Sequence, residues 1–372
     1  MRIEMTAITP IEHPLEDGWT LPASWYSDAN VYALERERIF ASAWQYAGPL
    51  EWVADRGCFF AAQVGHVPVA IVRGADGALR GFVNVCRHRG HIVLSGEGCR
   101  ETLQCPYHAW TYDLDGTLRK APRAEREPGF DPTGFSLLPV SVGSWGPFVF
   151  VNPDPDAAPL EETLGEMPVI VAESRLDIGA LRFHSHHEWG IDANWKVVME
   201  NFLECYHCPA AHPGFSKLID VSPDNYLLRV HETFSSQFGP VRASALAGNG
   251  KAGYTPQGPI VQSQSHFLFP ATTVNIVPGI ANISLERWTP DGPRRTIEVT
   301  DYYFGPEVSE KEIEELMAWD NQVAMEDTSL VESVQRGLDS GMVPQGRLMT
   351  ESEQLIADFQ RRVRDALLAD SH

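Results

Sequence analysis

Two cysteines and two histidines sit in two short motifs, Cys86-Arg87-His88 and Cys105-Pro106-Tyr107-His108, with sixteen residues between His88 and Cys105. Each motif offers one thiolate and one imidazole from a short loop. Together they match the donor set of a [2Fe–2S] cluster in which two cysteines hold one iron and two histidines the other. Two cysteines and two histidines also make a zinc set, but zinc sequences usually pair C-x-x-C with a separate histidine pair. Here each motif contributes one of each. Gly90, Gly96, Gly98 and Gly116 surround them, and Pro106, Tyr107 and Trp110 stand beside the ligands as a shield would require. A cluster of this kind stores one electron and passes it on, so a second redox centre is expected further along.

That centre is sought in Asn201, Glu204, His207 and His212. On a helix Glu204 and His207 are i and i+3 and share a face, with Asn201 one turn earlier. Pro209 falls between the two histidines, so the helix distorts or ends there and lets His212 swing back. Two neutral imidazoles, one carboxylate and open positions make the facial triad of non-haem Fe(II) oxygenases. The carboxylate need not be close in sequence. A helix is predicted with Ile313, Leu316, Met317, Val323, Leu330, Val331 and Val334 on its buried face. Asp320 and Asp327 fall on or beside that face, where a carboxylate needs a partner or a metal. Glu326 points off it, toward solvent. Cys205 and Cys208 are read as small buried fillers, since no βαβ context supports a redox pair. His184, His186 and His187 lie in an alternating, strand-like stretch and are read as strand residues.

Several elements must position these residues. Residues 1–45 read as a helical arm and 46–155 as a β-rich unit, with strands at 67–73, 140–142 and 148–151 and a hairpin turn at Gly74–Gly77. Pro153–Pro159 reads as a linker. Residues 160–372 form the catalytic region, with a helical segment over 192–210. Strands follow near 265–277, 281–288 and 295–304, then two helices, the last started by a capping box at Thr350–Glu353. Residues 236–260 lack periodicity and read as a mobile lid, an entrance loop or a surface insertion.

Taken together, these residues resemble the catalytic α subunit of the Rieske non-haem iron oxygenases, the ring-hydroxylating oxygenase family. The resemblance begins at Leu21-Pro22, the helix Val31–Phe40 and Trp44. It continues through Cys86–Gly90, Cys105–Trp110, Asn194-Trp195-Lys196 and Glu200-Asn201 to His207 and His212. It implies an α+β chain, an N-terminal Rieske β domain followed by a helix-grip catalytic domain of antiparallel sheet plus helices. It implies that Cys86, His88, Cys105 and His108 hold a [2Fe–2S] cluster. His207, His212 and Asp327, with Asp320 as the alternative to Asp327, would hold a mononuclear Fe(II). Glu204, with Asn201, would be catalytic, Glu204 bridging from beside the iron to a cluster histidine of a neighbouring subunit in a head-to-tail homotrimer.

The same resemblance implies a terminal oxygenase that uses O2 and electrons from an NAD(P)H-dependent flavin/iron–sulfur reductase or a ferredoxin. Glu at 204, Glu326-Asp327 and Val334–Leu338 look most like the branch acting on choline, glycine betaine, carnitine and related quaternary amines, which usually lacks a β subunit. Hydroxylation of an N-methyl group there ends in demethylation. An aromatic-ring or aromatic-acid (di)oxygenase is the alternative, and an iron–sulfur electron carrier is an alternative of another class. Phe202, Tyr206, Phe267 and Phe269 are candidate walls of an aromatic cage. Ala271 stands after Phe269-Pro270 where relatives often carry Asn, a departure that bears on the substrate.

Composition bounds the reading. The chain has 372 residues and a formal net charge of −21, which argues against nucleic acid and anionic membrane surfaces as partners. No run of apolar residues is long enough to span a bilayer. The first residues lack the apolar region of a secretory signal. Six cysteines in a chain this long do not make a disulfide scaffold, and thiolate ligands fit a reducing compartment, so a cytoplasmic location is expected.

Overall fold

In the computed structural model, residues 8–246 and 254–369 are described. The chain divides into two compact units: Phe40–Leu160 is one, and the residues before and after it form the other. No described helix is long and apolar enough to cross a membrane.

The first unit is built on β-strands, with short 3-10 turns at Leu50–Val53, Ala124–Arg126 and Pro132–Phe135. Its strands are β1 Gln45–Pro49, β2 Cys58–Val64, β3 Val67–Arg73, β4 Leu79–Val83, β5 Glu97–Cys99, β6 Leu103–Gln104, β7 Thr111–Tyr112, β8 Leu118–Lys120, β9 Pro139–Trp145 and β10 Phe148–Asn152. They pair antiparallel as a sheet in the order β1-β10-β9-β4-β3-β2-β5 and a small sheet β6-β7-β8. The β-branched run of β3 explains its place: Val69, Ile71 and Val72 are fully buried, and the strand is interior to the sheet, between β4 and β2. The turn after it closes with Gly74 N–H donating to Ala78 O at 2.8 Å, and Gly77 supplies the positive φ of 82° that the turn requires.

The second unit holds β11 Arg182–Ile191, β12 Leu227–Val230, β13 Phe234–Pro240, β14 Gln262–Leu268, β15 Thr272–Ile276, β16 Asn282–Pro290 and β17 Thr296–Phe304. They form one antiparallel sheet in the order β11-β17-β16-β15-β14-β13-β12. The helix Glu310–Asp339 packs on it, burying Ile313, Leu316 and Trp319 with Tyr302 and Phe304 of β17. A sheet face closed by long helices is the helix-grip arrangement.

Several local expectations are corrected. The strand expected at 265–277 is two strands, because the chain reverses at Phe269-Pro270-Ala271 and Pro270 has no N–H for a ladder. Residues 236–240 belong to β13 rather than to a lid; 247–253 of that stretch lie outside the described residues. The capping box forms at Ser309 and Glu312, at the head of the long helix, and not at Thr350–Glu353. Leu330 and Val334 are exposed, and Gln335 takes the buried position instead.

The N-terminal segment belongs to the catalytic unit, and a buried ion pair anchors it there. Lys196 Nζ lies 2.5 Å from Glu35 Oε1, and both side chains are fully buried. Nζ also donates to Trp25 O at 3.0 Å, and Trp195 Nε1 donates to Glu35 Oε2 at 2.9 Å. One turn on, Glu200 accepts from Tyr26 Oη at 2.6 Å, and burial pushes its carboxyl up to about 7. Lys196→Met strands the Glu35 charge in the core, an expected loss of about 3–5 kcal/mol in urea unfolding. Adding Glu35→Gln should recover much of it; no recovery would mean that packing, not charge, dominates there.

Candidate functional site

In the β unit the two cysteine loops fold alike. Cys86 N–H donates to His91 O and Gly90 N–H to Cys86 O, at 2.8 and 3.0 Å. Cys105 N–H donates to Trp110 O and Ala109 N–H to Cys105 O at the same distances, 2.8 and 3.0 Å. Each loop therefore closes on a left-handed residue four positions after its cysteine, Gly90 at φ 74° and Ala109 at φ 57°. Holding a residue with a Cβ in that region costs of order 1 kcal/mol.

The loops bring like ligands together. Cys86 and Cys105 are buried unbonded thiols beside each other, and the rings of His88 and His108 meet edge to face at 4.7 Å. Cys86 Sγ lies 3.3 Å from Tyr112 Oη, which accepts from Arg87 N–H at 3.1 Å. Burial, then the neighbouring Cys86, pushes the Cys105 thiol up, a cost that a bound cation reverses. Two thiols on the buried side and two imidazoles on the outer side suit a two-iron cluster. Trp110 shields it, stacking on His88 at 5.0 Å, whereas Tyr107, expected as part of the shield, is half exposed.

In the second unit the helix ends early. Trp195–Phe202 is capped by Asn194, whose side chain accepts from Lys196 N–H at 2.9 Å. Glu204 therefore lies beyond the helix rather than at i, i+3 on its face. Its carboxylate accepts from the Tyr206 and His207 backbone N–H groups and from His207 Nδ1, so one side chain shapes the turn and aims the ring. Pro209 starts a short helix, Cys208–Ala211, instead of ending one, and Pro213 starts the next. His212 lies at the joint between them.

Three side chains from two distant segments converge. His207 Nε2 and His212 Nε2 are 3.0 Å apart, and Asp327 Oδ1 lies 3.4 and 3.0 Å from them. Of the described residues only His207, His212 and Asp327 form a group of three or more whose ligand atoms come within 4.8 Å of one another. Each imidazole has its other nitrogen held by a carboxylate: Glu204 on His207, and Glu326 on His212 at 2.8 Å. That leaves both Nε2 atoms for a metal, as metal-bound histidines require. Burial alone would depress His207, but the Asp327 and Glu204 carboxylates outweigh it and hold it up at about 9. Asp327 is held low by the two histidines despite its burial. The site is built to carry positive charge.

Other expected residues go elsewhere. Asp320 accepts from Tyr302 Oη at 2.7 Å. Glu326, expected in solvent, is the His212 partner; its place beside Asp327 was the only available signal. Cys205 and Cys208, expected as separate fillers, are bonded to each other across His207, and Cys58 of β2 is bonded to Cys99 of β5, so four of the six cysteines are paired. His186 pairs with Asp301 at 2.6 Å and His184 with Glu310 at 3.3 Å.

Asn201, Glu204, the two histidines and Asp327 border a cavity of about 170 Å³ between the sheet and the long helix. An engineered cavity of ~150 Å³ holds benzene, so this one suits a small substrate. Phe202 lines it, but Tyr206 faces solvent, and Phe267 and Phe269 pack on Phe359 away from it. Ala271 is fully buried and outside the lining. The cavity's other aromatic walls are Trp189, Trp288, Trp319 and Tyr302, with Phe215 and Tyr226. The side-chain alternation of β11, β16 and β17, which carry Trp189, Trp288 and Tyr302, was the signal that could have found the sheet-borne ones.

Comparisons with known proteins agree with both centres. Residues 178–369 match the ring hydroxylating alpha subunit (catalytic domain) family, and 43–139 match the Rieske [2Fe-2S] domain. The carnitine monooxygenase oxygenase subunit of Escherichia coli (strain K12) is 35% identical over 340 residues, 91% of this chain and 89% of that protein. The chloroplastic choline monooxygenase of Atriplex hortensis is 32% identical, over 93% of this chain and 77% of its own. The solved structure of a quaternary ammonium Rieske monooxygenase superposes with a TM-score of 0.86 at 32% identity, over 96% of this chain and all of that one (100%). Naphthalene 1,2-dioxygenase from Rhodococcus sp., at 20% identity and a TM-score of 0.77, shares the fold.

Proposed function

Because the chain belongs to the ring-hydroxylating oxygenase α subunits that join a Rieske [2Fe–2S] domain to a catalytic iron domain, we propose that it is a monooxygenase of quaternary ammonium compounds. It is an oxidoreductase, the terminal oxygenase of its system, with a [2Fe–2S] cluster and a mononuclear iron as cofactors. When bound, these supply single electrons and O2 activation, respectively.

In this reading Cys86, His88, Cys105 and His108 hold the cluster, and His207, His212 and Asp327 hold the iron. The observation that carries it is the convergence of those last three at the cavity, each histidine oriented by its own carboxylate. Glu204 keeps His207 Nε2 toward the metal and bridges to the cluster side of a neighbouring subunit. Asn201 faces the substrate cavity beside it. Electrons come from a reductase, and we take that to be an NAD(P)H-dependent flavin/iron–sulfur protein. A head-to-tail homotrimer is supported by the inter-subunit electron transfer described for the quaternary ammonium Rieske monooxygenase.

The conversion consumes O2, two electrons and two protons. One oxygen atom enters a substrate C–H bond and the other leaves as water. At an N-methyl group the carbinolamine then releases formaldehyde, and the amine is left one methyl shorter. The substrate class is supported by the carnitine and choline monooxygenases among the relatives and by the indole-walled cavity, which suits an organic cation.

The test is anaerobic purification, iron counting, EPR of the reduced protein and formaldehyde assay with choline, carnitine and glycine betaine. About three irons per chain, a Rieske-type signal and formaldehyde from one of the three are expected. A colourless zinc protein, or no turnover of any quaternary amine, refutes the reading.

A further inference from the structure

Three carboxyl groups that take no part in the iron site line the cavity: Glu286 of β16, Glu298 of β17 and Asp320 of the long helix. Their placement follows from register. Glu298 lies opposite Trp189 on one neighbouring strand and opposite Trp288 on the other, so the carboxyl stands between two indoles. Glu286 lies opposite Thr273 and Thr300. Each acid has neutral donors: Thr273 Oγ1 to Glu286, Thr300 Oγ1 to Glu298 at 2.9 Å, and Tyr302 Oη to Asp320 at 2.7 Å. Among the described residues, no lysine or arginine lines the cavity.

Those acids therefore lack a counter-charge. Burial pushes Glu286 up to about 7, with Asp320 adding to it, and burial with the neighbouring Glu286 pushes Glu298 well up. Burying three carboxyls against one cavity is costly, and nothing in the fold of the sheet requires it. A second feature points to a ligand. Trp319 lines the same cavity at 8% exposure, and its buried indole Nε1 has no hydrogen-bond partner among the described residues. A neutral substrate oxygen would satisfy it.

We infer that this cavity selects a small organic cation that carries no carboxylate, a hydroxyl-bearing amine of the choline type, over the carboxylated betaines. The inference rests on the oxygenase reading and sharpens its substrate. The cation sits against Glu298 between Trp189 and Trp288, where its charge favours the ionised carboxyl and cation–π attraction adds to the ion pair. A carboxylate at the far end of a betaine would meet Glu286 and Asp320 with no lysine or arginine to answer it; where those acids are ionised they repel it, and where they are protonated it is left a buried anion without a counter-charge.

Choline and glycine betaine make a matched pair, alike in size and in the trimethylammonium head and different at the hydroxyl or carboxylate end. Binding of each to the anaerobic, iron-loaded protein is measured by calorimetry, with L-carnitine as a third ligand. Choline is expected to bind at least about tenfold more tightly than glycine betaine, a gap of about 1.4 kcal/mol. Glu298→Gln, which keeps the shape, should weaken choline about tenfold and narrow the gap, with cluster absorption and thermal midpoint as checks on folding. Glu286→Gln should improve glycine betaine without the same loss for choline. Glycine betaine or carnitine binding as tightly as choline overturns the inference while leaving the oxygenase reading standing. Absence of binding by all three overturns both.

Discussion

Replacing His212 by alanine is expected to lower the iron content from about three to about two per chain and to abolish product formation, while the visible spectrum and EPR signal of the reduced [2Fe–2S] cluster stay unchanged. The two centres are built from different units of the chain, so one can be emptied without touching the other. His212 is 2% exposed and contributes Nε2 at 3.0 Å from Asp327 Oδ1. Without it, one imidazole and one carboxylate remain. Glu326→Gln should do less. It removes the charge from the group holding His212 Nδ1, which typically costs 10- to 100-fold in metal affinity, and excess Fe(II) should restore activity. If His212→Ala keeps its third iron, the metal lies elsewhere and the assignment of the triad fails.

Glu204→Gln is expected to keep both centres and still lose about 100-fold or more in product formation, above what an orienting partner alone supplies. The carboxylate makes three contacts: it takes two backbone N–H groups of its own turn and the Nδ1 of His207. An amide can accept the backbone bonds, so the turn should survive. It cannot hold His207 as a charged partner, and it cannot serve as a charged bridge to a neighbouring subunit. The informative readout is the cluster of a fully reduced sample after substrate and O2 are added. In the natural protein it should reoxidise within a turnover. In the variant it should stay reduced, with iron near the full count. A variant that instead loses iron and is rescued by excess Fe(II) would show that Glu204 only orients His207, and the bridging role would fall.

The cluster loops were legible because their chemistry is local. Residue type and spacing within Cys86–His88 and Cys105–His108 define the donors, and hydrogen bonds inside each loop close it. Cys205 and Cys208 were misread for the converse reason. The sequence does not say whether two nearby thiols face one another; that depends on the turn set by Glu204 and Pro209, and there they are bonded. The helix expected through 192–210 failed likewise, because a side-chain carboxylate outcompeted the helix for the Tyr206 and His207 N–H groups.

By itself, the sequence determined the order of the β unit and the catalytic unit, and it offered the two candidate donor sets and the candidate acids on the long helix. Deciding between Asp320 and Asp327 took the packing of that helix against the sheet, which sets Asp327 on the histidines and Asp320 on Tyr302. Strand register likewise stood Glu298 between two tryptophans. Ligands within a few residues are constrained by the backbone that joins them. Partners more than a hundred residues apart are constrained only by how sheet and helix pack, and that leaves no mark in any short stretch of chain.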